Sequence, residues 1–249
     1  MKKINTILAA VGALLMLSVT GANSVEFKAG VSANGMAAYA NAKETLKGSG
    51  TGTGRTTTEE AVLATSFASV FAEVSSDELM GLGIGISYAP EIVDLNKETR
   101  TINTCNDGTR NAGDGVACVA KTGSSADSGD QIVDAKINDM VSVYLTLPVG
   151  DSGAYVKAGY IQATMVTEES LVTGSKYEDV DLTGTQIGGG YEGSLGDMVF
   201  WRAEGSYQMW EDISASGSEP DNGSTDSTKN KITAELGSIT GTLSVGMKF

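Results

Sequence analysis

Histidine is missing from all 249 residues, and its absence removes whole classes of chemistry. Hydrolases that use an imidazole as general base, or pair it with serine or aspartate, cannot be assembled from this chain. Basic residues are scarce as well: 17 Lys and Arg stand against 31 Asp and Glu, a formal charge of −14. Nucleic acid binding needs a basic stripe to meet phosphates. None exists, so nucleic acid is not an expected partner, and acidic surface of this kind mostly serves solubility. Two cysteines, Cys105 and Cys118, fall short of the four ligands of a zinc site. After the amino-terminal segment no apolar run approaches the roughly 20 residues of a spanning helix, and no helical hydrophobic period marks a second domain. Proline occurs three times, whereas glycine occurs 32 times.

The amino terminus reads as a secretory signal peptide. Lys2 and Lys3 precede an apolar run from Ile7 to about Val19, and Gly21-Ala22-Asn23-Ser24 follows. Ala22 and Ser24 are the small residues a signal peptidase takes before its cut. Residues 1–24 are therefore assigned to the signal peptide and 25–249 to one mature domain, whose formal charge is −16 once Lys2 and Lys3 are gone. In an oxidising compartment an even cysteine count favours a Cys105–Cys118 disulfide.

Strand patterning dominates the mature chain. In the last twelve residues Ile239, Leu243, Val245, Met247 and Phe249 share one face, and Thr240, Thr242, Ser244 and Lys248 the other, because strand side chains point to opposite faces in turn. Eight such segments are read: about 25–42, 61–74, 81–88, 136–147, 154–167, 184–192, 199–209 and 231–249. Ile137, Val141, Val143, Leu145 and Leu147 share the apolar face of the fourth. In the second, Phe67 and Phe71 break the alternation. In the last, parity shifts between Leu236 and Ile239, which predicts a bulge near Gly237. Long polar stretches (43–60, 90–135, 168–182 and 211–230) alternate with short turns at 75–78, 148–153 and 193–197. The expected fold is all-β: an eight-stranded antiparallel up-and-down transmembrane β-barrel with four long loops on one side.

The closing strand that ends on Phe249, together with the Leu-Pro-Val-Gly turn and Tyr-Val-Lys-Ala-Gly-Tyr strand between Leu145 and Tyr160, resembles small bacterial outer-membrane barrels of the opacity-porin or OmpA/OmpX-like type. The resemblance implies extracellular loops, a periplasmic carboxyl terminus, outer-membrane lipid and lipopolysaccharide as surroundings, and assembly machinery that reads the terminal aromatic Phe249. It also admits enzymes, but their usual mechanisms rely on the histidine this chain lacks.

If the apolar face of each strand meets lipid, the opposite face brings Glu26, Lys28, Glu73, Lys157, Glu192, Arg202, Glu204 and Lys248 into the interior. Four acids meet four bases. An eight-stranded barrel is only wide enough to be filled by side chains, and buried charge must be paired. These residues therefore predict a plugged lumen crossed by ion pairs, with a narrow gated ion path as the functional alternative. Gly81, Gly83 and Gly85 alternate with Leu82 and Ile84, so they read as room for side chains crossing the lumen and not as a phosphate loop, which would need a following helix.

Tyr39, Tyr88, Trp201 and Tyr207 fit membrane-interface anchors better than ligand stackers. A Cys105–Cys118 disulfide would remove conformational freedom worth about 3 kcal/mol from the longest loop, stiffening it either for presentation or against proteases. Glu168, Glu169, Glu178, Asp179 and Asp181, then Glu211, Asp212, Glu219, Asp221 and Asp226, make the later loops acidic. No calcium-loop spacing joins them, so neither a metal nor a cofactor is assigned. The expected function is that of a monomeric, non-enzymatic outer-membrane protein for envelope structure and surface display; a narrow channel, and an adhesin or surface receptor, are the alternatives.

Overall fold

The structure is a computed structural model and describes residues 25–46, 55–102, 129–170, 178–220 and 229–249. The signal segment, Cys105 and Cys118 lie outside them. Nine strands follow in chain order: β1 Val25–Leu46, β2 Arg55–Ser76, β3 Leu82–Ile102, β4 Gly129–Pro148, β5 Ala154–Ser170, β6 Val180–Ser194, β7 Val199–Trp210, β8 Ile213–Pro220 and β9 Lys229–Lys248. Each pairs antiparallel with its neighbour, and β1 also pairs with β9, closing the sheet. Pairing of β9 with β7 ends at Met209↔Gly237, and β8 takes over at Ile213↔Ala234. β8 thus continues the seventh stave past a kink, and the barrel is a closed one of eight staves.

Closure leaves two surfaces, and the period-two pattern assigns them. Val31, Val70, Leu145, Val156, Ile187, Leu243 and Val245 are exposed on the outer wall. Lys28, Ser32 and Asn34 on β1, and Arg202, Ser206 and Gln208 on β7, are buried inside. An apolar exterior around a polar interior is the inverse of a water-soluble barrel and fits a lipid surround.

The staves are longer than a bilayer needs. β1 has 22 residues; at a rise of ~3.3 Å and a tilt of ~40° these cover roughly 55 Å along the axis, against ~30 Å of hydrocarbon. The additional length lies on the loop side, where β1, β2, β3, β4 and β9 all extend into stretches that composition assigns to loops. Thr and Ser suit a strand as well as a turn when neighbouring strands supply partners, so polarity alone misplaces these ends.

Two expected details are corrected. β9 carries no bulge near Gly237: its register with β1 runs unbroken from Lys28↔Lys248 to Thr45↔Lys231. Leu236 faces inward with Ser238 and Thr240, and packs against an apolar interior cluster. Register shifts occur elsewhere: β3 has them between Glu91 and Val93 and between Leu95 and Glu98, and in β4 one lies between Asn138 and Val141, where Asp139 takes a φ of 55°. That bulge reverses parity, so Ile137 packs against the interior cluster instead of facing lipid.

Candidate functional site

The lumen holds three layers, encountered in sequence along every stave. Nearest the short turns is the charged layer. Arg202 donates from Nη1 to Glu73 Oε2 at 2.8 Å, from Nη2 to Glu73 Oε1 at 2.6 Å, and from Nε to Glu192 Oε2 at 2.7 Å. Lys28 Nζ donates to Glu192 Oε1 at 2.8 Å and lies 3.1 Å from Glu26 Oε1. Lys248 Nζ lies 3.9 Å from Glu26 Oε2. Separately, Lys157 Nζ donates to Glu204 Oε1 at 2.7 Å, and Tyr155 Oη to Glu204 Oε2 at 2.9 Å. The eight residues assigned to the interior from sequence thus come together as one chain of six and one pair.

Aromatic rings wall this layer. Arg202 Cζ lies 5.2 Å from the centroid of Phe200, 5.4 Å from Tyr155 and 5.5 Å from Phe71; Lys157 Nζ is 4.1 Å from that of Tyr144. Such contacts favour a cation when water is excluded. Sequence patterning put Phe71 on the polar face with Thr65, Ser69 and Glu73 against the alternation, and it does face the lumen, meeting Phe200 edge-on at 6.2 Å. The break in alternation was itself the signal for it. Gly85 makes room for Tyr144, and Gly83 for Thr146 and Glu73: a Cβ at either glycine would overlap those side chains.

Hydroxyls and amides form the middle layer. Ser32 and Ser244 share a bond of 2.8 Å, Asn34 Nδ2 donates to Ser69 Oγ at 2.9 Å, and Thr242 Oγ1 donates to Asn34 Oδ1 at 2.8 Å. Gln186 donates to Ser142, and Ser238 to Gln208 at 2.5 Å. A chamber of about 50 Å³ lies among Ser32, Asn34, Ser142, Gln186, Ser206 and Thr242. On the turn side of the charged layer a vestibule of about 270 Å³ opens, lined by Lys28, Glu73, Glu192, Arg202 and Tyr155.

Toward the loops the lumen turns apolar. Met36, Ala89, Ile92, Met140, Ala163, Leu182 and Ile213 are buried together, with Phe67, Ile137, Met165, Trp210 and Leu236 packed against them. This layer was not expected from sequence, which assigned a polar interior throughout.

On the outer wall Tyr39 and Tyr207 place their hydroxyls 3.2 Å apart, and the Tyr39 ring lies over Gly237. Tyr88 Oη donates to Asp139 Oδ1 at 2.6 Å, and Trp201 stacks at 5.8 Å on Tyr191 nearer the turns. Phe249 exchanges backbone bonds with Phe27: its N–H donates at 2.9 Å, and its carbonyl accepts at 3.2 Å. Among the described residues no cluster of three or more Asp, Glu, Cys or His is placed to hold a metal.

Solved structures of outer-membrane proteins align with most of the chain, each at a TM-score below 0.5. OprG from Pseudomonas aeruginosa aligns over 91% of this chain and 96% of its own, with 12% identity and a TM-score of 0.45. The outer membrane protease OmpT from Escherichia coli aligns over 92% and 100%, with 12% identity and a TM-score of 0.42. Ail, the attachment invasion locus protein of Yersinia pestis, aligns over 90% and 99%, with 11% identity and a TM-score of 0.38. No protein-family model matches the sequence, and no curated protein does.

Proposed function

We propose that this protein is an outer-membrane barrel with a sealed lumen, which serves envelope structure and surface display instead of transport or catalysis. The observation that carries this is a lumen closed twice. The Arg202–Glu73–Glu192 charge layer fills one section and the Met36–Met140–Leu182 apolar layer another, so a hydrated ion meets a barrier of each kind. The histidine-free sequence supports the absence of catalysis. Outer-membrane placement is supported by the apolar belt around a closed barrel; in the orientation we propose, the short turns lie on the periplasmic side and the acidic loops outside. Lipopolysaccharide and the barrel-assembly machinery are the partners this implies, and the protein acts as a monomer.

Single-channel recording of the purified protein in planar bilayers tests the sealed lumen. Silence is expected. Steady conductance that changes on neutralising Lys157 or Glu204 would establish the channel instead. Fractionation tests the address: the protein should need detergent for extraction and migrate differently on gels before and after heating, whereas recovery in the soluble periplasmic fraction would sink it.

A further inference from the structure

One seam of the barrel wall is incomplete. β2 pairs with β1 along its whole length, from Val25↔Ser76 to Leu46↔Arg55, twenty-two pairs in all. On its other side it pairs with β3 over only seven, from Ser76↔Leu82 to Val70↔Tyr88. β3 nevertheless continues beside β4 to Ile102↔Gly129. Beyond Val70 and Tyr88 two long strands thus run on with no strand between them among the described residues, and each presents an unmatched backbone edge. The two sides are tied by Thr65, whose hydroxyl donates to the Ile92 carbonyl at 3.0 Å. There a side chain takes the place of a missing ladder bond.

An open edge of this kind is a template for another strand, and proteins usually blunt it with proline, lysine, a bulge or a short span. The open part of β2, residues 55–63, before the Thr65 tie, contains no proline or lysine, and its register with β1 runs without a shift. Thr56, Thr58, Glu59, Glu60, Ala61 and Val62 are all exposed there. The charge beside the edge is acidic. Glu60 and Glu235 flank Asn41 in register, and Glu59 and Glu91 are exposed, with Arg55 at the start of the edge and Lys43 across from Thr58. A second copy pairing antiparallel in the register centred on Glu59 and Glu60 would set these carboxylates against their own kind, and like charges directly opposite destabilise a ladder.

We propose that the edge of β2 between Arg55 and Leu63 is a docking strand for an extended, basic segment of another polypeptide, bound by strand addition. Main-chain bonds to the edge supply affinity, and the carboxylates select lysine- or arginine-rich partners. That the edge faces the outside of the cell rests on the orientation proposed above.

The test uses the whole protein in lipid nanodiscs and a decapeptide of alternating Lys and Thr, with a twin N-methylated at every second residue. The twin keeps the charge but cannot form one edge of a ladder. Binding of the parent should exceed that of the twin by at least about tenfold, and the parent should slow amide exchange in residues 55–63. The pair E59Q/E60Q should weaken the parent about threefold or more and flatten its salt dependence. Equal binding of both peptides, no binding of either, or edge amides already protected without peptide would each overturn the proposal. Peptide bound by purified protein but not by intact cells would overturn the orientation and leave the edge standing.

Discussion

Arg202 grips Glu73 across the lumen from β7 to β2, over 129 positions of sequence, with two near-parallel bonds of 2.8 and 2.6 Å. Both side chains are almost wholly buried: Arg202 is 6% exposed and Glu73 2%. Removing one partner of such a pair leaves the other charged and desolvated, which costs about 3–5 kcal/mol, whereas replacing both with apolar groups of similar volume is often close to neutral. E73Q should therefore lower stability by about that amount, and E73L combined with R202M should recover most of the loss. Urea unfolding in lipid vesicles measures both. An E73Q protein as stable as wild type would mean that Arg202 is satisfied by Glu192 alone.

On the proposed sealed lumen, two barriers act in series and conduction should require removing both. E73A with R202A opens the charged layer, while M140S with L182S wets the apolar one, where the two side chains are 8% and 3% exposed. Hydrophobic constrictions exclude ions by dewetting even where the walls leave room. Each double variant should stay silent in planar bilayers, and the fourfold variant should conduct, with heat-modifiable migration as the check on folding. Conduction by either double variant alone would show that its layer was the sole seal.

The outer wall and the charged layer were legible in the sequence because one face of each stave contrasts with the other there. Trp201, Ala203, Tyr207 and Met209 against Arg202, Glu204, Ser206 and Gln208 leave no doubt about parity. Near the loops the contrast fails. Met36, Ala38, Leu236 and Ala234 face the lumen, but they are as apolar as Ala37, Tyr39 and Ile239 on the outer wall. With both faces apolar, period two carries no sign, so the inward Leu236 looked like a bulge. The β4 bulge at Asp139 was hidden for the related reason that Ile137 and Val141 are equally apolar on opposite faces. The β2–β3 seam could not be read at all, since a strand's own sequence does not state how far its neighbour follows it.

Gly85 exists for Tyr144. A Cβ there would overlap the Tyr144 ring, whereas one at Gly35 would meet nothing within 4 Å. Overpacking a filled interior costs about 1–3 kcal/mol, so G85A should destabilise by that much and Y144L in the same chain should relieve it. G35A serves as control and should be neutral or stabilising by up to ~1 kcal/mol, since a strand glycine gives up more conformational freedom on folding than alanine. Equal effects of G85A and G35A in urea unfolding would mean that the ring is free to move aside.

Closure by the Phe249 backbone and the proposed reading of its ring by assembly factors are separable. Its backbone closes the sheet through two bonds to Phe27, but its side chain is 68% exposed and lies tilted at 6.1 Å from the Phe27 ring. An exposed side chain of this kind adds little to stability: F249A, which keeps both backbone bonds, should change the unfolding free energy of refolded protein by no more than about 1 kcal/mol. If assembly factors read the terminal ring, the same substitution should cut the amount of folded barrel in the outer membrane of growing cells severalfold, as shown by heat-modifiable migration of membrane fractions. The two measurements must diverge. A loss of stability in vitro large enough to explain the loss in cells would make Phe249 a packing residue and remove the assembly signal from this chain.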